Sequence, residues 1–361
     1  MSPAGALVRP EWAGVEPYGA PQLDVAVRLN VNENPYMPPE AVRQDMTNAV
    51  RTALTSVNRY PDREATQLRS KLADYLGHGL TRANIWAANG SNEVIVQILQ
   101  AFGGPGRSLL TFTPSYSMYP EYARDTHTDY VTVARTEDFR IDLDIARQAI
   151  RDHRPDVVIL ATPNNPTGTV TGLDVIEEIL TLAGGIVIVD EAYQEFSGSP
   201  SALELLAGHG NLLVSRTMSK AFAFAGGRVG YVAAAEPVVD ALRVVRLPYH
   251  LNAITQAVAA VALDHADEML AQVAHLRDLR DQAIERLRSM GMTVVDTQAN
   301  FFLFGPFADR HTTWQRLVDQ AVLVRETGPE GFLRACAGTD QEMELFYTAL
   351  EEIWGTERTQ R

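Results

Sequence analysis

Cysteine is nearly absent from this chain. Among its 361 residues, only Cys336 carries a thiol. One cysteine cannot form an intrachain disulfide or a metal site built from several thiolates. This usage is typical of a reducing compartment, so we expect a cytoplasmic protein in which Cys336 is a small buried residue of a strand. The eight histidines show no spacing typical of metal ligands, and no metal is expected.

Long apolar runs and an excess of positive charge are also missing. No apolar run approaches the roughly 20 residues needed to span a bilayer. Residues 1–21 lack a charged segment followed by an apolar stretch, so no secretory signal is expected. Lysine and arginine number 31 against 45 acidic residues, which gives a net charge of −14. This balance disfavours nucleic-acid partners and a basic membrane-docking face, but it does not exclude a small anionic ligand held by local groups.

Lysine is the third scarce residue, because Lys71 and Lys220 are the only two in the sequence. Arginine serves as a permanent cation, whereas lysine can lose its proton and attack a carbonyl carbon. Lys71 lies in a predicted helix and is expected on a solvated face, which is also the usual place for a lysine such as Lys220. The neighbours of Lys220, however, include the hydroxyls of Thr217 and Ser219 and the cation of Arg228. They favour an amine that binds an aldehyde carrying a phosphate.

Short apolar runs rich in β-branched residues alternate with helical stretches over the first two thirds of the chain. These runs comprise residues 85–88, 109–113, 130–134, 157–161, 186–189, 212–215 and 231–235. They predict an α/β fold with a mostly parallel sheet that helices cover on both faces. Beyond about residue 250, long helices with a few short strands follow. We predict an N-terminal arm at 1–45 contributing to the small domain, a large domain at 46–255 and a smaller α/β C-terminal domain at 256–361.

Polar clusters follow several of the predicted strands. Residues 90–93 read Gly-Ser-Asn-Glu, residues 162–168 read Thr-Pro-Asn-Asn-Pro-Thr-Gly, and residues 190–193 read Asp-Glu-Ala-Tyr, while Lys220 follows the strand at 212–215. In parallel α/β sheets, ligands bind beyond the carboxyl ends of the strands. The clusters are therefore predicted to share one site.

Asp190 closes an apolar strand and is the favoured carboxylate of that site. An amine that condenses with an aldehyde needs an electron-withdrawing partner, and pyridoxal phosphate provides one in its protonated ring nitrogen. A carboxylate beside this nitrogen keeps it protonated, which is the role predicted for Asp190. An aspartate in this position could equally cap a helix. Glu191 is less favoured because it should point to the opposite side of the strand.

Three more side chains suit the ring of such a cofactor. Tyr193 and Asn165 can donate hydrogen bonds to its ring oxygen, although Asn165 also lies in a sequence typical of a turn. Tyr116 can stack on the ring, although an isolated tyrosine is more often part of a core.

The cofactor phosphate is predicted to bind where a helix opens at Ser91. Free backbone N–H groups at a helix start bind anions. Thr217, Ser219 and Arg228 would complete the phosphate site.

Arg334 lies between Leu333 and Ala335 and is read as a strand arginine of the second domain. A half-buried arginine needs an anionic partner. Either an internal carboxylate forms a salt bridge with it, or its planar fork binds a carboxylate or phosphate of the substrate. Arg325, at the end of the preceding strand, raises the same alternatives.

In this order and number, the motifs resemble fold-type I pyridoxal-phosphate aminotransferases. The resemblance rests on Asn-Pro-Thr-Gly at 165–168, Asp-Glu-Ala-Tyr at 190–193, Ser-Lys at 219–220 and Gly-Arg at 227–228. Motifs at 29–35, 59–62, 90–93 and 216–222 narrow it to the histidinol-phosphate aminotransferase family. Those at 18–23, 114–119 and 247–251 resemble its actinobacterial members. The similarity extends from about Tyr18 to Gly338.

This resemblance implies a role for each candidate residue. Lys220 would bond to pyridoxal 5′-phosphate and move the proton between the substrate carbon and C4′ of the cofactor. Asp190 would pair with the ring nitrogen, Tyr193 and Asn165 would bind the ring hydroxyl, and Tyr116 would stack. The phosphate would be held by Ser91, Asn92, Thr217, Ser219 and Arg228.

The resemblance also implies substrate contacts and a partner subunit. Tyr60 matches a tyrosine that reaches the phosphate in the neighbouring subunit, which implies a homodimer with shared sites. Arg334 matches the arginine that binds the carboxylate of glutamate or 2-oxoglutarate and faces the phosphate end of histidinol phosphate. Further substrate contacts are expected from Tyr18, Asn92, Tyr249 and Arg325.

The implied reaction moves an amino group between L-histidinol phosphate and 2-oxoglutarate in histidine biosynthesis. An aromatic amino-acid (phenylalanine) aminotransferase on the same frame is the alternative. A ligand-sensing regulator would carry an additional basic DNA-binding segment, and the sequence lacks one.

Overall fold

The centre of the computed structural model, which describes residues 7–359, is a seven-stranded sheet. Its strands, in sequence order, are β2 (Ile85–Ala88), β3 (Ser108–Thr113), β4 (Asp129–Ala134), β5 (Val157–Ala161), β6 (Ile186–Asp190), β7 (Leu212–Thr217) and β8 (Gly230–Ala234). Their spatial order is β2-β8-β7-β6-β5-β3-β4. Strand β8 runs antiparallel to β2 and β7, and the remaining pairs are parallel. The predicted α/β class with a mostly parallel sheet is confirmed.

Both faces of this sheet are buried, as the continuous apolar strands require. Within β5, Val158 and Leu160 belong to one apolar core, and Val157 and Ile159 belong to the other. Successive side chains of a strand point to opposite faces, so an uninterrupted apolar run supplies both cores. In a parallel sheet, the crossover helices cover both faces and keep such a strand from water.

Helices precede, separate and follow the strands. They are α1 (Glu40–Leu54), α2 (Thr66–Leu76), α3 (Ser91–Phe102), α4 (Tyr119–Asp125), α5 (Leu143–His153), α6 (Leu173–Leu182), α7 (Glu236–Val245), α8 (Ala253–Asp264), α9 (Ala266–Ser289), α10 (Arg310–Asp319) and α11 (Asp340–Thr359). Buried residues of α3, α4 and α7 line one core, and those of α2, α5 and α6 line the other. Within residues 7–359, no helix is long and apolar enough to cross a membrane.

A second sheet forms in the last quarter of the chain. Its four strands are β9 (Thr293–Val294), β10 (Phe301–Gly305), β12 (Arg325–Glu326) and β13 (Leu333–Cys336), in the order β12-β13-β10-β9 with antiparallel pairing. Cys336 is 3% exposed in β13, which confirms the expected buried strand position.

The N-terminal arm joins this second region through a short parallel pair. Strand β1 (Val27–Arg28) runs beside β11 (Val322–Leu323). Residues 29–33 then continue to the carboxyl end of the large sheet. There the Val31 carbonyl accepts a hydrogen bond from Lys220 at 2.9 Å. Three distant parts of the chain thus meet at one place. The domain boundaries at 45 and 255 stay a prediction.

Candidate active site

A cavity of about 410 Å³ opens where the arm, the large sheet and the second sheet meet. Its walls contain every predicted site residue except Tyr60 and Tyr249, namely Tyr18, Ser91, Asn92, Tyr116, Asn165, Asp190, Tyr193, Thr217, Ser219, Lys220, Arg228, Arg325 and Arg334. The carboxyl ends of β5, β6 and β7 supply its floor. The clusters that follow separate strands in the sequence therefore do meet in one cavity.

Lys220 enters the cavity from the turn after β7. Its Nζ donates to the Val31 carbonyl oxygen of the arm at 2.9 Å. Enclosure in protein lowers the pKa of the amine to about 8, and the positive charge of Arg334 adds to this effect. Desolvation and a neighbouring cation both disfavour the charged ammonium. The amine is thus close to losing its proton near neutral pH, as nucleophilic attack requires.

Asp190 ends β6 and is 5% exposed. Its Oδ2 accepts from the Tyr119 hydroxyl at 2.9 Å, and its Oδ1 accepts from the Ala192 backbone N–H at 3.3 Å. Loss of solvation raises the pKa of the carboxyl to about 6, although the bond from Tyr119 opposes the rise. No ion pair with Asp190 forms in residues 7–359, and Asp190 caps no helix. It is a buried carboxylate without a cation.

Glu191 points away from the cavity, as the alternation along a strand requires. It is 1% exposed and accepts from Arg216 at 2.8 Å. It also accepts from the Ser201 hydroxyl at 2.8 Å and the Ala202 backbone N–H at 2.6 Å. The expectation that Glu191 lies on the opposite side from Asp190 is confirmed.

Hydroxyls and one guanidinium gather at the end of the cavity near α3. The Thr217 hydroxyl donates to Ser219 Oγ at 3.0 Å, and Arg228 Nη1 approaches the same oxygen at 3.4 Å. Ser91 and Asn92 form the first turn of α3. The N–H groups of a first helical turn, hydroxyls and a fixed cation are groups that can bind an anion together.

Two glycines make this close approach possible. A Cβ at Gly90 would lie 2.3 Å from Arg228 Nη2, and a Cβ at Gly230 would lie 2.0 Å from the Ser91 backbone nitrogen. Gly90 also has a φ of +86°. Any side chain at these positions would push apart the groups that form the anion site.

The middle of the cavity carries the aromatic and amide groups. The rings of Tyr116 and Tyr119 meet edge to face with centroids 5.6 Å apart. Asn165 uses its Oδ1 to accept from Arg334 Nη1 at 2.6 Å, which keeps its Nδ2 as a donor for a ligand. Tyr193 also lines the cavity and is 6% exposed.

Arg334 pairs with no carboxylate in the part of the chain that the structure describes. Its guanidinium donates to Asn165 Oδ1 at 2.6 Å and to the Asn30 carbonyl at 2.8 Å, while its Nε has no partner. It is 6% exposed and lies 5.2 Å from the centre of the Phe301 ring. Of the two alternatives, the internal salt bridge is absent, and a buried cation without an anion favours an anionic ligand.

Arg325 lies opposite Arg334 in the β12–β13 register. Its Nη2 donates to the Gly19 carbonyl at 3.3 Å, and the adjacent Tyr18 shares a hydrogen bond of 2.9 Å with Ser117. The arm therefore closes over the end of the cavity that holds the two arginines.

Tyr60 and Tyr249 lie outside this cavity. They are 80% and 40% exposed, and their rings stack on each other at 4.4 Å. Tyr249 does not line this cavity, and its contact with a substrate phosphate stays a prediction.

The sequence motifs missed several polar side chains that the fold brings to the site. Tyr119 bonds to Asp190, Asn32 bonds to Tyr193, and Ser115 and Ser117 line the cavity. Tyr119 and Asn32 each lie within motifs already singled out, at 114–119 and 29–35. Their partners are 71 and 161 residues away, so no local signal could pair them. Residues 7–359 contain no group of three metal-ligating side chains.

The family description "Aminotransferase class I and II" matches residues 24–350 of this chain. Among curated proteins, the histidinol-phosphate aminotransferase of Thermobifida fusca is 56% identical and covers 95% of this chain and 94% of its own length. That of Corynebacterium efficiens is 52% identical over 96% of this chain and 95% of its own. That of Mycolicibacterium smegmatis is 51% identical over 97% and 94%.

Solved structures are similar over nearly the whole fold. The histidinol-phosphate aminotransferase of Sinorhizobium meliloti in complex with pyridoxal-5′-phosphate superposes with a TM-score of 0.84 at 26% identity, covering 92% of both chains. Thermus thermophilus aspartate aminotransferase with maleate gives a TM-score of 0.78 at 25% identity, covering 91% of both chains.

Proposed function

Because the chain belongs to the class I and II aminotransferases, we propose that it transfers an amino group between L-histidinol phosphate and 2-oxoglutarate in histidine biosynthesis. Three relatives at 51–56% identity over at least 94% of each chain are named histidinol-phosphate aminotransferase. One observation of this structure carries the proposal. Lys220 and Asp190 line the same cavity, and among the described residues Asp190 forms no ion pair.

The residues of the cavity fit pyridoxal 5′-phosphate, the cofactor of this enzyme. Ser91, Thr217, Ser219 and Arg228 would offer donors to its phosphate. The absent Cβ atoms of Gly90 and Gly230 let Arg228 and the start of α3 come close enough to act together. At the other end, a buried carboxylate without a cation suits a protonated ring nitrogen. When bound, the cofactor ring withdraws electrons from the substrate carbon that loses its proton.

Lys220 is the group proposed to move that proton. Its amine has a pKa lowered to about 8 and can therefore accept a proton and return it at neutral pH. The Val31 carbonyl accepts a hydrogen bond from Nζ and keeps the amine inside the cavity. Tyr116 would cover one face of the ring, and Asn165 Nδ2 and the Tyr193 hydroxyl would donate to its oxygen.

Arg334 is proposed to bind the anionic end of both substrates. Its pKa is lowered by burial, but an arginine remains charged at any physiological pH. Two bonds already orient the guanidinium, and Nε remains to donate. Arg325, Tyr18 and Asn92 are proposed to bind the phosphate of histidinol phosphate.

We also propose a homodimer in which Tyr60 completes the partner's site. The two segments that carry the stacked Tyr60–Tyr249 pair, 54–60 and 244–249, also hold four exposed apolar side chains, which are Leu54, Val57, Val244 and Leu247. Exposed apolar residues that form a contiguous patch are typical of a protein–protein interface, and this face is proposed to be one. Tyr60 lies outside its own cavity and is free to reach a second copy, as is Tyr249. We propose a cytoplasmic location from the near absence of cysteine. We also propose a division into a large domain at 46–255 and a small one at 256–361, from the change in element pattern near residue 250.

The test uses purified enzyme with bound cofactor. Glutamate alone and histidinol phosphate alone should each change the absorbance of the cofactor, and the ratio of kcat/KM should favour histidinol phosphate over phenylalanine. No absorbance change with either amino donor would contradict an aminotransferase. A clear preference for phenylalanine would instead identify the aromatic alternative.

A further inference from the structure

The Tyr193 hydroxyl has one hydrogen-bond partner among the described residues, and that partner is the side-chain amide of Asn32. Asn32 Nδ2 donates to Tyr193 Oη at 3.0 Å, and both residues are buried. A phenol hydroxyl has one proton to donate and also accepts hydrogen bonds, whereas an amide N–H only donates. The Tyr193 oxygen is therefore the acceptor in this bond, and its own proton stays available.

Among the described residues, no protein group accepts a hydrogen bond from the Tyr193 hydroxyl. Arg334 carries only donors, and it already occupies Asn165 Oδ1. The Asp190 oxygens accept from Tyr119 and from the Ala192 backbone. The hydroxyl proton is left to an acceptor inside the cavity.

Asn32 is held in place independently of any ligand. Its φ of +56° lies in the left-handed region, which asparagine tolerates better than most residues. Its carbonyl accepts from Asn300 Nδ2 at 3.2 Å, and the Tyr193 ring meets the next residue, Phe301, edge to face at 5.0 Å. Both partners of the Asn32–Tyr193 bond are thus fixed by two consecutive residues.

The amide of Asn32 is also only half used. Its Oδ1 is buried and has no partner in the described part of the chain, and Asn32 lines the cavity. Polar atoms that serve only to stabilise a core are normally paired. The side-chain hydrogen bond of Asn32 goes to Tyr193, and its amide oxygen has no partner among the described residues. We infer that this amide serves to hold Tyr193.

We propose that Asn32 is a positioning residue whose amide holds the Tyr193 oxygen as an acceptor, so that the Tyr193 hydroxyl donates to the ring oxygen of the bound cofactor. The inference rests on the proposed function and extends it. Burial raises the pKa of Tyr193, Asp190 and Cys336 raise it further, and Arg334 and the Asn32 bond oppose the rise. The hydroxyl therefore keeps its proton throughout the working pH range.

A donor at the ring oxygen has a measurable consequence. It stabilises negative charge on that oxygen and lowers the pH at which the absorbance of the bound cofactor changes. Loss of the donor should raise this midpoint, and a purely structural role of Asn32 would not move it.

The experiment follows this midpoint in Asn32→Gly and Asn32→Asp. Glycine removes the amide and keeps the left-handed φ without strain. Aspartate keeps the shape but accepts the Tyr193 proton instead of donating. Both variants should raise the midpoint by about one pH unit or more and lower kcat. Asn34→Ala is the matched control, because Asn34 lies in the same arm but its amide contacts Gln272 of α9. The midpoint of this variant should stay unchanged.

A second comparison separates action through Tyr193 from a general effect. Tyr193→Phe alone should raise the midpoint, and adding Asn32→Gly to it should cause no further rise. An unchanged midpoint in Asn32→Gly, or shifts that simply add in the double variant, would overturn the inference. Both results presuppose wild-type enzyme that binds the cofactor and transfers amino groups. A wild type without these properties would overturn the proposed function, and this inference with it.

Discussion

At the scale of single residues, the candidate site contains two buried ionisable groups, and neither forms an ion pair with a group of opposite charge among the described residues. Lys220 is enclosed beside a cation, and Asp190 is enclosed without one. Each arrangement costs folding free energy in the cofactor-free protein. Groups placed this way are typical of catalysis, because their pKa values move toward the working pH.

Lys220→Arg should abolish amino transfer. Arginine retains a positive charge but cannot lose its proton or form the covalent bond, so kcat should fall by roughly 10²–10⁴-fold or more. Lys71→Arg is the matched control, since Lys71 pairs with Asp264 and the Ala260 carbonyl away from the cavity. Steady-state kinetics of both variants decide the point. A Lys220→Arg enzyme with unreduced turnover would contradict the proposed role.

Asp190→Asn should stabilise the cofactor-free protein while it abolishes activity. The pKa of Asp190 is raised from 3.8 to about 6, so the native state binds more protons than the unfolded state between these values. Wild-type stability therefore falls as the pH rises through this window. Above pH 6 the variant should be more stable by about 3 kcal/mol.

Urea denaturation of both cofactor-free proteins at pH 4.5 and pH 8 measures this difference. The gap in the free energy of unfolding should be small at the lower pH and full at the higher. A constant gap at both pH values would mean that ionisation of Asp190 is not its cause.

At the scale of elements, we expect the junction between β8 and the start of α3 to control the proposed phosphate site. Gly230→Ala would place a Cβ 2.0 Å from the Ser91 backbone nitrogen, so α3 must shift. We expect a loss of about 1–3 kcal/mol of stability and weaker cofactor binding. Gly184→Ala is the control, because a Cβ there meets nothing within 4 Å.

Fluorescence titration of each cofactor-free variant with pyridoxal 5′-phosphate gives the dissociation constant. Equal affinities of Gly230→Ala and Gly184→Ala would show that this junction does not set the phosphate site.

The elements were the most predictable part of the protein. The strand at 157–161 could be recognised because a short, unbroken run of apolar, mostly β-branched residues is typical of a strand buried on both faces. The carboxyl-end rule then predicted where Asp190 and Lys220 would meet. The bond from Tyr119 to Asp190 and that from Asn32 to Tyr193 could not be predicted, because they depend on how close separate elements come. The partners of Arg334 stayed open for the same reason, since one of them is a backbone carbonyl 304 residues away.

At the scale of the whole molecule, the face around Tyr60 and Tyr249 is proposed to bind a second copy. If each site combines Lys220 of one subunit with Tyr60 of its partner, two inactive variants should complement each other. Mixing Lys220→Ala with Tyr60→Ala gives hybrid dimers with one intact site. After random exchange, the mixture should recover about a quarter of the wild-type activity.

The mixture is compared with each variant alone after the same unfolding and refolding. Val244→Asp within both chains is the control for assembly, because a charge on this exposed apolar side chain should prevent both dimer formation and recovery. Activity no higher than the sum of the separate variants would contradict shared sites.

The two lysines have a practical consequence for studying the enzyme. Apart from the α-amino terminus, the chain offers amine-selective reagents two targets, and the Lys71 amine is engaged by Asp264 at the surface. Borohydride reduction should attach one pyridoxal-phosphate group covalently to the tryptic fragment that contains Lys220. Mass spectrometry of this fragment would then give the fraction of subunits that hold the cofactor. An acylating reagent would label the subunits without cofactor, since bound cofactor would protect the Lys220 amine and an empty cavity would leave it reactive.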